Sequence, residues 1–371
     1  MRGGEGNGVT RFTKVRIHME QQETHKRRPH YSGKYPRKFE EKYKEHDPEK
    51  YADEIAHVIA KGNTPAGMHI PIMVDEILDV LNIQPGERGF DATLGYGGHT
   101  LKMLAALQGR GHLYGGDVDP IESEKTIERI RAKGYGDDLW SFRRMNFCQI
   151  DELAAEVGPL DFVLADLGVS SMQIDDPARG FSYKTDGPLD LRLNPEAGES
   201  AADSLAAMTQ DEIEGMLMEN ADEPYAAAIA KQIVRDERRA AITTSRPLHE
   251  TIERALKTVH FPKGTTPEEK REAVKKSSAR TFQALRIDVN HEYEVLYEFM
   301  GKLPDALNPG GRAAILTFHS GEDRLVKKAF QAFYRSGVYS DIAKDVIRPS
   351  KEECYRNPRA HSTKLRWAIK A

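Results

Sequence analysis

Residues 88–119, RGFDATLGYGGHTLKMLAALQGRGHLYGGDVD, decide the fold class of this chain. They predict a short strand, a glycine-rich turn, a helix and a second strand, which is the order of a βαβ unit with parallel strands. Gly95, Gly97 and Gly98 let the turn approach a ligand closely, and the helix that follows has free N–H groups at its start. We therefore predict a ligand site where the first strand ends.

An acidic residue ends the second strand of this unit. Asp117 lies 19 residues after Gly98, where a carboxylate can accept hydrogen bonds from ribose hydroxyls, and Asp119 is the alternative partner. The spacing Gly95-x-Gly97-Gly98 differs from the dinucleotide fingerprint, whose third glycine falls three residues after the second. S-adenosyl-L-methionine has a ribose and an adenine but no pyrophosphate, and it therefore fits better as the predicted cofactor.

Strands and helices alternate on both sides of this unit. The predicted elements are a helix through 70–81, strand 89–93, helix 99–107, strand 112–117, helix 120–133, strand 139–146, helix 149–156, strand 161–167, a long helix 280–306, strand 312–318, helix 321–334 and a strand near 363–369. Residues 200–276 show only helical patterns. The chain is thus predicted to be α/β, with a doubly wound sheet formed by 66–176 and 280–371 and an inserted all-helical domain at 177–279.

Composition excludes several classes of protein. The chain has 371 residues, and its two cysteines are too few for a disulfide framework or a Cys-rich zinc site. No stretch approaches the roughly 18 consecutive apolar residues of a membrane span, and the N-terminus lacks the apolar segment of a secretory signal. We expect a cytoplasmic protein without a membrane partner, and we predict no metal site.

The net charge of −4 is unevenly distributed. Residues 1–50 carry +5 and residues 324–371 carry +8, which leaves −17 for the residues between them. Basic ends can attract phosphate even when the whole protein is acidic. Residues 1–65 are charged and have few aliphatic residues, so they predict a flexible arm that either binds RNA or acts as a solubilising tail.

Two further groups of residues suggest chemistry at the same sheet edge. Phe147 is predicted to end the third strand, where its ring could lie against adenine, and Asp166 to end the fourth. The loop that follows, from 167 to 193, is dense in glycine, serine, aspartate and arginine. Loops of this length without secondary structure are usually functional or disordered.

Four motifs together resemble one known family. They are DATLGYGGH (91–99), DLGVSSMQIDDPARGFSYKTDGPLDLRL (166–193), ARTFQALRIDVNHE (279–292) and GGRAAILTFHSGEDRLVK (310–327). In order and spacing they are similar to the small-subunit ribosomal RNA (cytosine-N4)-methyltransferase H family, also called MraW. The resemblance runs from about His69 to the C-terminus. It departs from the family pattern at several places, among them Gly321, where the family usually has Leu in FHSLEDR, and 277–279, where Ser-Ser-Ala replaces HPA.

The resemblance implies a class I methyltransferase core and methylation of the exocyclic amine of a decoding-region cytidine in 16S rRNA, within the small ribosomal subunit. It also implies contacts with S-adenosyl-L-methionine at the positions that match the family motifs, which are Gly97, Gly98, His99, Asp117, Phe147, Asp166 and Gln173. The oligomeric state is left open by the sequence, and a homodimer is one option.

Methyl transfer to cytosine N4 needs a hydrogen-bond acceptor for the amino protons. We predict Asp166 in this role, Ser170 and Ser171 as residues that position the base, and His319 as a second catalytic candidate. A base inside a helix cannot reach the cofactor, so the target must be presented outside the stack. The predicted RNA contacts are Arg179, Arg192, Arg280 and Arg286.

Two other classes of function remain open at this point. A DNA amino-methyltransferase would use similar chemistry, but it typically has a Pro-Pro-aromatic loop where this chain has Leu167-Gly168-Val169-Ser170-Ser171. A non-catalytic nucleotide-binding factor for ribosome assembly would account for the sheet and the charged ends, but it would not need the dense loop after the fourth strand.

Overall fold

Parallel pairing of apolar strands builds the centre of the molecule. The computed structural model describes residues 71–371, and the predicted arm at 1–65 lies outside them. The strands are β1 (Arg88–Asp91), β2 (His112–Asp117), β3 (Trp140–Arg144), β4 (Leu160–Asp166), β5 (Leu307–Thr317), β6 (Tyr339–Ile342) and β7 (Lys364–Lys370). They form one sheet in the order β3-β2-β1-β4-β5-β7-β6, with β1 to β5 parallel and β7 antiparallel to both of its neighbours.

Helices cover both faces of this sheet. The helices are α1 (Val74–Leu81), α2 (Gly98–Ala106), α3 (Pro120–Ala132), α4 (Ile150–Val157), α5 (Ser171–Asp175), α6 (Ala201–Ala207), α7 (Gln210–Ala221), α8 (Ala226–Glu237), α9 (Ser245–Lys257), α10 (Pro267–Val289), α11 (Glu292–Ala306), α12 (Ser320–Arg335) and α13 (Lys351–Arg356). Short 3₁₀ turns lie at Phe147–Gln149, Pro177–Arg179 and Pro358–Ser362. No helix in this part of the chain is long and apolar enough to cross a membrane.

Alternate residues of the central strand enter two different cores. Val163 and Ala165 of β4 pack with α4, α11 and α12, whereas Phe162 and Leu164 pack with α1, α2 and α3. Side chains of a strand point alternately to its two faces, so a strand covered on both sides must be apolar throughout. This is why residues 162–165 are all apolar.

A third hydrophobic cluster belongs to the helices between β4 and β5. Residues from Phe181 to Leu285 build it, with buried side chains from α6, α7, α8, α9 and α10. Within residues 71–371 no strand lies between β4 and β5, which confirms that this region is helical. Helix α10 contributes Phe282 and Leu285 to this cluster, and it spans the predicted domain boundary at 280.

The prediction of one helix over 280–306 is wrong. The structure has two helices, α10 and α11, which are separated at Asn290 and His291. His291 adopts the left-handed conformation, with φ of 50°. The Asn290 side-chain amide donates to the Leu191 carbonyl at 2.8 Å, and its oxygen accepts from the Leu193 N–H at 2.7 Å. Helical periodicity continues on both sides of this break, so the periodicity alone could not reveal it.

The end of the third strand also differs from the prediction. Strand β3 ends at Arg144, and Phe147 begins a 3₁₀ turn. The Asn146 side chain caps this turn, since its oxygen accepts from the Cys148 N–H at 3.2 Å. Asparagine competes for backbone hydrogen bonds in this way, which favours a turn over continuation of the strand.

Candidate active site

The glycine-rich turn between β1 and α2 is held against α3. Gly97 has a φ of 75°, and a Cβ atom there would lie 2.8 Å from the Thr126 methyl carbon, so this position requires glycine. The Thr126 hydroxyl donates to the Gly95 carbonyl at 2.7 Å. Helix α2 begins at Gly98, so its first N–H groups face the carboxyl edge of the sheet, as predicted for a ligand site.

Asp117 ends β2 beside this turn. One of its carboxylate oxygens accepts from the Gly95 N–H at 2.8 Å, and the other accepts from the Asp119 N–H at 2.9 Å. Each carboxylate oxygen has two lone pairs, so both can still accept from ribose hydroxyls. Burial raises the pKa of Asp117 to about 6. The acceptor oxygens at this position therefore fit the hydroxyls of the ribose of S-adenosylmethionine.

Asp119, the alternative ribose partner, is committed to other contacts. It is 1% exposed, and its Oδ2 accepts from the Arg179 guanidinium at 2.8 Å and from the Gln173 amide at 2.7 Å. The oxygen of the Gln173 amide accepts from the Ser170 N–H at 2.8 Å. These contacts occupy Asp119, the alternative ribose partner, and they join the end of β2 to the loop after β4.

The four predicted RNA-contacting arginines all lie beside carboxylates. Arg179 is buried against Asp119, and its second nitrogen donates to the carbonyls of Arg192 and Leu193. The other three are Arg192, 2.6 Å from Asp190, Arg286, 2.7 Å from Glu292, and Arg280, 3.8 Å from Glu223. The Arg179 guanidinium is internal and its hydrogen bonds go to protein oxygens, which argues against the predicted RNA contact at this residue. Arg280 is the most exposed of the four, with 39% of its side chain exposed.

Asp166 and His99 face each other at the carboxyl end of β4. Oδ2 of Asp166 lies 3.5 Å from Nδ1 of His99, and Nε2 of His99 lies 2.9 Å from the Ile72 carbonyl. A carbonyl only accepts, so Nε2 carries the hydrogen and Nδ1 of the neutral ring is an acceptor. Burial lowers the pKa of His99, which favours this neutral ring.

The second oxygen of Asp166 has no partner in the described part of the chain. Oδ1 is buried and makes no hydrogen bond, although a buried polar atom normally has one. Burial, and then the negative charge of Glu322, raise the pKa of Asp166 to about 7. The main-chain N–H of Asp166 donates to the Thr93 hydroxyl at 2.7 Å, which fixes the strand end. Asp166 therefore offers one unused acceptor at the site.

Asp91 is a site residue to which the sequence analysis assigned no role. It ends β1 and is 1% exposed, and its carboxylate accepts from the Thr100 hydroxyl of α2 at 2.5 Å. Burial raises its pKa to about 7, and the hydrogen bond from Thr100 opposes this rise. Its position at the end of a strand, like that of Asp117 and Asp166, could have identified Asp91 from the sequence.

His319 follows β5 and lies next to the loop after β4. Its Nε2 is 3.0 Å from Oε1 of buried Glu322, whose other oxygen accepts from the Phe318 N–H at 2.8 Å. Burial opposes ionisation of Glu322, but the hydrogen bond and charge of His319 and the charge of Arg286 outweigh it and lower the pKa of this carboxyl. A Cβ atom added at Gly168 would lie 4.0 Å from Oε1 of Glu322, so the two loops are adjacent.

Glu292, His319 and Glu322 bring three potential metal-ligand atoms within 4.8 Å of one another. Glu292 is held by two hydrogen bonds from Arg286, at 2.7 and 2.8 Å, and Glu322 is held by His319. Arg286 neutralises Glu292, and His319 contacts Glu322, so each carboxylate of the cluster already has a side-chain partner.

The remaining predicted site residues lie on the same edge. Phe147 packs edge-on against Phe299 of α11, with the ring centroids 5.1 Å apart. Ser170 caps α5, since its hydroxyl accepts from the Gln173 N–H at 3.2 Å, and Ser171 is the first residue of that helix. Ser170 is thus engaged in a cap, whereas Ser171 is half-buried at the helix start.

In this sheet β7 runs antiparallel between β5 and β6, and the glycine turn is bonded to Asp117 at the end of β2. These features are those of a Rossmann-like methyltransferase that uses S-adenosylmethionine. The sequence profile of the MraW methylase family matches residues 66–371. The chain belongs to this family.

Similar proteins were found by sequence and by structure. The chain is 62% identical to ribosomal RNA small subunit methyltransferase H 1 of Agathobacter rectalis, over 95% of this chain and 100% of that protein. It is 37% identical to ribosomal RNA small subunit methyltransferase H of Thioalkalivibrio sulfidiphilus, over 82% of this chain and 98% of that protein. Among solved structures, a SAM-dependent O-methyltransferase from Thermotoga maritima matches with a TM-score of 0.35 and 10% identity, over 80% of this chain and 64% of that one.

Proposed function

We propose that this protein transfers a methyl group from S-adenosyl-L-methionine to the exocyclic N4 amine of a cytidine in the decoding region of 16S rRNA. The observation that carries the proposal is the unpartnered, buried Oδ1 of Asp166 at the edge where Asp117 and the glycine turn lie. The relatives named as ribosomal RNA small subunit methyltransferases support rRNA of the small subunit as the substrate.

Asp166 would act on the acceptor amine. The N4 lone pair is delocalised into the cytosine ring, and a hydrogen bond from N4–H to Oδ1 increases electron density on nitrogen as it attacks. In the step, the N4–carbon bond forms, the carbon–sulfur bond breaks, S-adenosylhomocysteine leaves and one N4 proton is lost to Asp166 or to water. The raised pKa makes Asp166 a stronger proton acceptor than an ordinary aspartate.

The other residues at the edge would hold the two substrates. Bound S-adenosylmethionine supplies an electrophilic methyl group on a sulfonium. The residues that would hold it are Gly95, Gly97, Gly98, His99, Asp117, Phe147 and Gln173, together with Asp166. Gln173 would act through Asp119 and Ser170, since its side-chain amide is bonded to both.

Ser171 and His319 would position the cytosine at Asp166, with Ser170 fixing the start of α5. Positioning of this kind can supply up to about 7–11 kcal/mol of the barrier reduction. The base must leave its stack to reach this edge. Arg280, which is partly exposed on α10, is the arginine best placed to contact the RNA, with Arg192 and Arg286 as paired neighbours of lower exposure. A substrate in the ribosome places the protein in the cytoplasm.

The test compares three methyl acceptors and, separately, a variant of Asp166. Methyl-labelled S-adenosylmethionine is offered with small ribosomal subunits, naked 16S rRNA or DNA, and the labelled nucleoside is identified. We expect N4-methylcytidine in rRNA. Label in DNA would favour the DNA amino-methyltransferase, and no label in any substrate would favour a non-catalytic factor.

Asp166→Ala is compared with Asp345→Ala, which removes an exposed carboxylate in the loop after β6. We expect Asp166→Ala to abolish transfer while calorimetry still detects cofactor binding, and Asp345→Ala to leave both unchanged. Full activity of Asp166→Ala with normal cofactor binding would refute the role of Asp166.

A further inference from the structure

A cavity of about 290 Å³ lies against His319, and none of its lining residues is a predicted cofactor contact. It is an open pocket lined by the end of α7, Gln283 of α10, the start of α11 and the first turns of α12. Asn220, Gln283, Tyr293, His319, Arg324 and Lys328 are among its lining residues. It is close to the smallest volume of typical ligand pockets, about 300 Å³.

Tyr293 and Gly321 shape this cavity together. A Cβ atom at Gly321 would overlap the Tyr293 hydroxyl, so glycine at this position leaves the space that the tyrosine occupies. The hydroxyl donates to the Asn220 carbonyl at 3.1 Å, and the Tyr293 and His319 rings lie 5.9 Å apart. The result is an aromatic wall of the kind on which single-stranded RNA bases stack.

Two cations stand at the opening of the cavity. Arg324 and Lys328 are exposed and lie one helical turn apart on α12. Arg324 is 3.6 Å from Asp222, whereas no carboxylate in residues 71–371 lies within 4 Å of the Lys328 amine. Asp222 also lines the cavity, and its carboxylate can accept from base amines or 2′-hydroxyls. The charges therefore suit a nucleotide with its phosphate at Lys328.

The His319 side chain lies between the cavity and the proposed acceptor site. His319 lines it, and the partner of His319, Glu322, lies beside Gly168 in the loop that follows Asp166. A base held at Asp166 and a second base in this cavity would thus be separated by the His319 side chain. Two neighbouring nucleotides of a single strand can lie on the two sides of one side chain in this way.

We infer that this cavity binds the nucleotide adjacent to the acceptor cytidine, with its base against Tyr293 and His319 and its phosphate at Lys328. The inference rests on the proposed rRNA methylation and adds a second recognition site to it. A nucleotide held here anchors the strand while the cytidine is outside its stack, so it contributes to the selection of the target sequence.

The test compares Lys328→Gln with Lys327→Gln. Both lysines are exposed neighbours on α12, and only Lys328 lines the cavity. Initial rates are measured on the small-subunit substrate at several salt concentrations. We expect Lys328→Gln to raise KM for RNA about tenfold, which is the loss of one charge-assisted hydrogen bond, and to reduce the salt slope by about 1. Lys327→Gln should change neither, and cofactor affinity should be the same in both variants.

Gly321→Ala tests the cavity itself, because the added methyl displaces Tyr293. We expect a higher KM for RNA with unchanged cofactor affinity. If this variant fails to fold, Gln283→Ala, which lines the same cavity and adds no atoms, replaces it with the same expectation.

Equal KM and salt slope for the two lysine variants would overturn the inference. An effect at Lys328 without one at Gly321 or Gln283 would also overturn it, because the lysine would then act from the surface. Wild-type protein in the same assay separates the two proposals. If the wild-type protein transfers no methyl group to rRNA, the proposed function is refuted. If the wild-type protein is active and the cavity variants have the same KM for RNA as wild type, only the proposed nucleotide site in the cavity is refuted.

Discussion

The internal position of Arg179 leads to a prediction opposite to that of a surface RNA contact. Its guanidinium donates to Asp119 at 2.8 Å and to the carbonyls of Arg192 and Leu193 at 3.1 and 2.9 Å. In Arg179→Ala the buried Asp119 carboxylate keeps its charge but loses its cation. Two carbonyls lose their donor as well.

Removing one partner of a buried ion pair costs about 3–5 kcal/mol. We take this range as the expected loss for Arg179→Ala, since side-chain exposure is 7% for the arginine and 1% for the aspartate. A domain is typically stable by about 5–15 kcal/mol, so the loss would be a large fraction of the free energy of unfolding. Urea unfolding followed by circular dichroism measures it. Exposed Arg238→Ala, at the end of α8, is the control and should change stability by less than about 0.5 kcal/mol.

A double variant isolates the pair from other effects. In Arg179→Met with Asp119→Asn neither charge remains, so we expect the double variant to lose less than the sum of the two single variants, with a coupling of about 1–3 kcal/mol. Arg179→Ala with wild-type stability and a raised KM for RNA would refute this reasoning and restore the surface contact predicted from the sequence.

Two further predictions concern the cofactor edge. Burial raises the pKa of Asp166 to about 7, and the proposed mechanism needs its ionised carboxylate. The value of kcat/KM for S-adenosylmethionine should therefore rise about tenfold from pH 6 to pH 8 and then level off, and a flat profile would contradict the role of the carboxylate as acceptor. In thermal unfolding, Gly97→Ala should destabilise the protein by about 1–3 kcal/mol more than Gly337→Ala. Both glycines have φ near 75°, but only at Gly97 would an added Cβ atom clash with a side chain, that of Thr126. Equal losses for the two variants would show that Thr126 imposes no packing constraint.

The sheet and its edge could be predicted because local patterns determine them. The alternation of apolar strands and amphipathic helices around Asp91, Asp117 and Asp166 specifies parallel βαβ units. In such a sheet, all strands end at one edge. One can therefore predict, without knowing any side-chain contact, that acids at strand ends lie close together.

Residue partners could not be predicted in this way. Arg179 and Asp119 are 60 positions apart, and nothing in the spacing distinguishes a guanidinium that binds phosphate from one that pairs internally. The break between α10 and α11 depends on Asn290 bonding to residues 99 and 97 positions earlier in the chain. Contacts of such long separation appear only when the helices have packed.

The order of strands along the chain, the glycine turn and the charge at strand ends are local properties, so the amino-acid sequence alone specified the fold class and the cofactor edge. Packing specified the rest: which acid is buried beside which cation, which carboxylate oxygen lacks a partner, and which space Gly321 leaves for Tyr293. The physical reason is that desolvation and hydrogen bonding depend on neighbours in space. Both can reverse the role that a residue type suggests in isolation.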